Sequence, residues 1–145
     1  LAWGRSHYDA KNHKLYIFDE YRAQKKSNQA VYDELKEAGR IINSELLIAD
    51  SSEPKSIADL RAYGANIRGA EKGPDSVAYS MKWLQSLREI VIDPVRCPYH
   101  LEEFINYELE QDKDGNYISE FPDKSNHFID SVRYRTNLIW RKRGQ

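Results

Sequence analysis

The run Leu46-Leu47-Ile48-Ala49, followed by Asp50-Ser51-Ser52-Glu53-Pro54, constrains this chain more than any other stretch. Four apolar residues in a row are too few for a buried helix and suit a central strand covered on both faces. That strand is expected to end at Asp50. In open α/β sheets ligands and chemistry gather at the carboxyl ends of strands, so an acid there is placed to hold a metal. Asp50 also suits a plainer role, opening a turn or capping the next helix.

The elements around this strand alternate. Residues 1–8 and 15–21 read as two strands of a hairpin joined by a polar turn. A helix is expected over 27–38, with Ser27 as cap, Ala30, Val31, Leu35 and Ala38 as its apolar stripe, and Gly39 as its stop. Beyond Asp50, Pro54 opens a helix over 55–63, and a short strand follows over 65–68. After a polar loop over 69–74, the helix over 75–87 carries Val77, Met81, Leu84 and Leu87 on one face. A strand over 89–92 closes at Asp93-Pro94. The helix over 99–108 is expected to turn Leu101, Phe104 and Ile105 inward. Asp114-Gly115 signals a type I′ hairpin over 109–121, and a helix over 125–141 ends the chain. This order gives an α/β fold: a mixed sheet flanked by helices, with an extra hairpin before the C-terminal helix. A chain of 145 residues suits one domain with a sizeable core.

Composition narrows the partners. Net charge is -1, so no global basic field advertises nucleic acid and only local patches can serve. The single cysteine excludes an internal disulfide, and an intracellular setting is the simpler expectation. No apolar run approaches the roughly 18 residues of a membrane span, so no membrane partner is expected. Cys97 and His100 have a Cys-x-x-His spacing, but a structural zinc needs four ligands and no second cysteine exists. A buried Cys97 and a surface His100 are expected.

A second acid opens the closing helix, in Asn126-His127-Phe128-Ile129-Asp130. Phe128, Ile129, Val132, Thr136 and Ile139 form its core-facing stripe. His127 and Asp130 are three apart and share a face. A solvated first turn, where the macrodipole favours an acid, explains the same pattern. Set against Asp50, however, Asp130 makes a pair suited to a hard cation, which takes clustered carboxylate oxygens and keeps several waters. Two such ions can flank a phosphodiester, one activating water and one stabilising the leaving oxygen. A histidine beside them can move a proton or steady the water.

The stretches Ile48–Ile57, Gly69–Ser76 and Asn126–Tyr134 together resemble the nuclease domain of tailed-bacteriophage terminase large subunits. They keep that family's order and approximate spacing across nearly the whole chain. The resemblance implies a ribonuclease H-like fold and an endonuclease that cuts concatemeric viral DNA during packaging, using Mg²⁺ or Mn²⁺ at a two-metal site. It implies that Asp50 and Asp130 are metal-binding catalytic acids and that His127 is the catalytic histidine one turn before the last acid. Double-stranded DNA, the portal protein and the small terminase subunit are the implied partners, in the host-cell cytoplasm. The family's first catalytic Asp lies on a strand just before a segment resembling Leu1-Ala2-Trp3-Gly4. That first strand and its acid are therefore expected to be missing here, leaving residues 1–145 as an N-terminally incomplete nuclease domain. Asp9, Asp19 and Glu20 are the in-chain substitutes to consider. No Gly-rich phosphate loop ending in Gly-Lys-Ser or Gly-Lys-Thr occurs, so the family's ATPase motor is not in these residues. For DNA contact, Arg68 and Lys72 flank a glycine-containing loop, and Lys124 and Arg133 border the second acid. The basic run Arg141-Lys142-Arg143 is a further candidate, and the late hairpin is either a DNA-guiding flap or structural. The alternatives are another ribonuclease H-like nuclease, such as a junction resolvase, or a non-catalytic module that docks DNA or a packaging partner.

Overall fold

The computed structural model describes residues 1–71, 73, 75–107, 114 and 126–144. The chain runs β1 (Ala2–Asp9), β2 (Lys14–Arg22), α1 (Asn28–Glu37), β3 (Leu46–Ala49), α2 (Pro54–Ala62) and β4 (Asn66–Gly69). It continues through α3 (Ser76–Ser86), β5 (Glu89–Ile92), α4 (Pro98–Asn106), α5 (His127–Arg135) and α6 (Asn137–Gly144). The hairpin expected over 109–121 lies outside the described residues, apart from Asp114. No helix among the described residues is long and apolar enough to cross a membrane.

The first two strands pair antiparallel, with Ala2 opposite Arg22, Asp9 opposite Lys14 and a bulge between Arg5 and Ser6. Strand β5 adds in parallel to β2, giving the order β1-β2-β5. Leu15 and Ile17, two apart on β2, face the core with almost no exposure, as a period of two requires. They pack with Met81 and Leu84 of α3, Ile129 and Val132 of α5, and Trp140 of α6. A second cluster joins Val31, Tyr32 and Leu35 of α1 to Ile57 of α2 and Ile67 of β4.

Local signals were obeyed where they were local. The Ser27 hydroxyl accepts from the Ala30 amide at 3.1 Å and caps α1. Gly39 adopts φ 71°, the left-handed conformation that lets the chain leave the helix. Four expectations need correction. Strand β3 pairs in parallel with β4 alone among the described residues, and Leu46 is 40% exposed, so it is not covered on both faces. The inward face of α3 is Ser80, Met81, Trp83 and Leu84, with Val77 exposed. On α4, Ile105 is 68% exposed while His100 is fully buried. The reason is electrostatic: the Glu20 carboxylate accepts from the Tyr99 and His100 amides, both at 2.9 Å, and fixes how α4 is rotated. Lastly, the closing helix is two helices. Thr136 at the break returns its hydroxyl to the Val132 carbonyl at 2.6 Å, a contact that bends helices.

Candidate active site

Asp50 follows β3 directly. Its Oδ1 accepts from the Ser52 amide at 3.0 Å and its carbonyl accepts from the Glu53 amide at 3.1 Å. Asp50 thus follows the strand end and opens a turn. Gly69, in register with Ala49 at the end of β4, lets that turn fold down closely. A Cβ at Gly69 would lie 3.0 Å from the Cβ of Ser51 and 3.2 Å from its Cα. Pro54 then starts α2.

His127 is the first residue of α5 and is exposed, and Asp130 follows in the same turn, half-buried. Asp130 Oδ1 accepts from Arg133 Nη1 at 2.8 Å. Arg133 is only 6% exposed, and its Nε donates to Ser80 Oγ at 2.7 Å. The expectation that Arg133 meets DNA is corrected here, because a phosphate contact needs a cation that reaches solvent. Arg133 instead orients Asp130. Glu103 of α4 reaches the start of α5, where Oε1 accepts from the Phe128 amide at 2.9 Å and the Ile129 amide at 3.1 Å. Burial raises the Glu103 carboxyl above its ordinary value, while those two amides pull it down. Arg68 is exposed on β4, in register with Ile48. Lys72 and Lys124 lie outside the described residues.

Asp50, His127 and Asp130 line one cavity of about 870 Å³, together with Glu53 and Tyr134. Its lining takes in residues of β1 between Ala2 and Tyr8, the whole of β3, and side chains of α1, α2 and α5. Each of these strands has one edge without a partner strand among the described residues. The cavity is thus a slot lined by both sheets and by α5, which carries His127 and Asp130.

A sequence family described as "Terminase RNAseH like domain" matches residues 3–137. The chain belongs to this family. It is 42% identical to "Terminase, large subunit" of Bacillus phage SPP1 over 146 residues, covering 99% of this chain and 34% of that protein. It is 31% identical to "PBSX phage terminase large subunit" of Bacillus subtilis (strain 168) over 126 residues, covering 87% of this chain and 28% of that protein. The chain therefore spans about a third of the length of these curated relatives. The crystal structure of the g2p (large terminase) nuclease domain from bacteriophage SPP1 with bound Mn superposes at a TM-score of 0.85 and 40% identity, covering 94% of this chain and 77% of that one. The ribonuclease H-like arrangement of a mixed sheet flanked by helices is shared with that terminase domain.

The three in-chain substitutes considered for the first Asp that the family resemblance implies are all engaged elsewhere. Asp9 binds the Asn12 side chain and amide in the hairpin turn, and those bonds hold its carboxyl below the ordinary range. Asp19 is half-buried, which opposes its charge, yet Arg40 and Arg5 hold its carboxyl low. Glu20 is buried. None of the three lines the slot.

Glu20, Cys97 and His100 offer ligand atoms within 4.8 Å of one another, a grouping that sequence spacing did not reveal. Their chemistry does not suit an ion. Glu20 Oε1 already accepts from the His100 amide and from Nδ1 at 2.8 Å, and Oε2 accepts from the Tyr99 amide. Arg135 Nη2 donates to His100 Nε2 at 2.9 Å, so the imidazole proton sits on Nδ1. Burial pushes the Cys97 thiol up to about 11, far from the thiolate a metal takes. The cluster is a structural relay from β2 through α4 to α5. Sequence analysis placed Cys97 correctly as buried and His100 wrongly as exposed.

Proposed function

We propose that this chain is the nuclease part of a phage packaging terminase, a Mg²⁺- or Mn²⁺-dependent endonuclease that cuts concatemeric viral DNA. The observation that carries this reading is that Asp50, His127 and Asp130, far apart in sequence, line the same cavity. The donor set fits a hard cation: Asp50, Asp130 and the neighbouring Glu53 offer carboxylate oxygens, and no thiolate is among them. The bound Mn of the SPP1 relative agrees with that choice. Bound there, the cations would acidify a water and neutralise charge on the scissile phosphate.

The residues divide the work. Asp50 and Asp130 hold the metal, and Arg133 keeps the Asp130 carboxylate turned toward it. Imidazole is a poor ligand for Mg²⁺ beside carboxylates, so His127 stands next to the metal and orients or deprotonates the attacking water. Arg68, exposed on β4, is a described cation for DNA contact, with Lys72 and Lys124 as further contacts. A third carboxylate on the first strand that the family resemblance implies would enter the slot between β1 and β3. Double-stranded DNA is the substrate, the portal protein and small terminase subunit are the partners, and the host cytoplasm is the setting.

The test is plasmid cleavage by a chain extended upstream, with Mn²⁺ present. Asp130→Asn should abolish cutting, because a neutral oxygen replaces a charged ligand. His127→Ala should keep Mn²⁺ affinity and lose ~10²–10⁴-fold in rate. Cutting by Asp130→Asn at the wild-type rate would remove the metal site from this cavity. An extended chain that binds DNA but neither Mn²⁺ nor cuts would instead be a docking module.

A further inference from the structure

We infer that Glu103 is a positioning residue for the turn that carries His127 and Asp130. This rests on the nuclease reading for its functional meaning, and on geometry alone for its structural one. The first amides of a helix have no partner within it. In α5 the first intrahelical bond is that from the Asp130 amide to the Asn126 carbonyl at 2.8 Å. The cap residue Asn126 makes no side-chain cap bond. The amides of Phe128 and Ile129 are taken instead by Glu103, from a different helix, with Oε2 adding a second contact to Phe128 at 3.2 Å.

Two consequences follow from this arrangement. An anionic carboxylate at a helix start is favoured by the macrodipole, and its bonds to amides are charge-assisted. More importantly, His127 and Asp130 belong to the very turn that Glu103 closes. Arg133 steadies the Asp130 side chain from one turn further on, but it does not hold the backbone. Without Glu103 the turn opens, and the imidazole and carboxylate leave their common wall of the slot. Glu103 therefore acts through Asp130 and His127 and touches neither substrate nor metal.

The experiment compares Glu103→Ala and Glu103→Gln with Ser27→Ala, which removes the cap of a different helix, α1. In the metal-free, isotope-labelled chain, amide exchange at Phe128, Ile129 and Asp130 should speed up ~5–30-fold in Glu103→Ala. The His127 ring resonances should shift in the same sample. Glu103→Gln keeps a carbonyl acceptor and should recover most of both. Ser27→Ala should lose comparable stability and leave α5 unchanged. Calorimetry should then find weaker Mn²⁺ binding in Glu103→Ala and near-normal binding in Ser27→Ala. Unchanged exchange at Phe128 and Ile129 would overturn the inference. So would opened amides with an unmoved His127 ring and unmoved Mn²⁺ affinity, which would make Glu103 a structural cap only. If the wild-type chain binds no Mn²⁺, the nuclease reading loses support, and the exchange and ring measurements still decide the role of Glu103.

Discussion

Glu20, His100 and Arg135 form a buried chain of hydrogen bonds whose charges make definite demands on pH. Burial and the Arg135 guanidinium lower His100 from 6.5 to about 4, although Glu20 opposes them. Unfolded, the imidazole takes a proton near its ordinary value; folded, it resists. The contribution is fully present above about pH 6.5 and is lost as pH falls toward 4, with an upper bound on the order of 3 kcal/mol. Urea midpoints measured between pH 7.5 and 4.5 should fall steeply in the wild type. In His100→Gln the fall should be shallower, from a lower starting point. Gly4 feels the same cluster sterically. A Cβ there would lie 2.8 Å from His100 Cε1 and 2.9 Å from Arg135 Nη1, so Gly4→Ala should cost ~1–3 kcal/mol by thermal melting. Cys97 gives a simpler check. With its thiol raised to about 11 and no exposure, it should resist a disulfide reagent at pH 8 until the chain is unfolded by urea.

At the scale of elements, what could be read in the sequence was what neighbouring residues decide among themselves. Helix α1 was legible because its cap, its stripe of Val31 and Leu35 and its glycine stop lie within one segment. The hairpin β1–β2 and the acid after β3 were legible for the same reason. The rotation of α4 was not, because it depends on Glu20, which is distant in sequence. Ile105 looked inward by hydropathy and lost to a buried carboxylate that needed donors. Arg133 looked like a phosphate contact because it flanks an acid, and only packing against Ser80 reveals that it is buried. The break between α5 and α6 has a similar origin. Asn137, the first residue of α6, exchanges two side-chain hydrogen bonds with the backbone of Glu71, at 3.1 and 3.0 Å. Asn137→Ala should therefore loosen the loop that follows β4, read as faster amide exchange at Glu71, while leaving α1 untouched.

At the scale of the molecule, the slot between the two sheets ties the fold to the proposed chemistry. Strands β1 and β3 each have one edge without a partner strand among the described residues, an arrangement that invites strand addition. Apolar side chains including Trp3, Val31, Leu35, Leu47 and Ile67 line the space between them. An extended segment with alternating apolar residues would bond to both edges and turn alternate side chains into that lining. Each side chain so buried contributes ~1.5–3 kcal/mol and each strand hydrogen bond a further ~0.5–1.5 kcal/mol, set against ~1–2 kcal/mol of backbone entropy for each residue ordered. The net gain is a few kcal/mol at most, which is several degrees in melting temperature for a domain of this size. Extending the chain upstream should raise the melting temperature by that amount and slow amide exchange in both β1 and β3, with no metal present. It should not alter exchange in β5, at the far side of the three-stranded sheet. Replacing the acids of the added segment one at a time by Asn or Gln should preserve the stabilisation and, at one position, remove Mn²⁺-dependent cutting. Stabilisation without any such position would make the slot purely architectural. No stabilisation and no change in exchange would mean that the slot does not receive a strand, and the third carboxylate would have to be sought among the acids already lining it, beginning with Glu53.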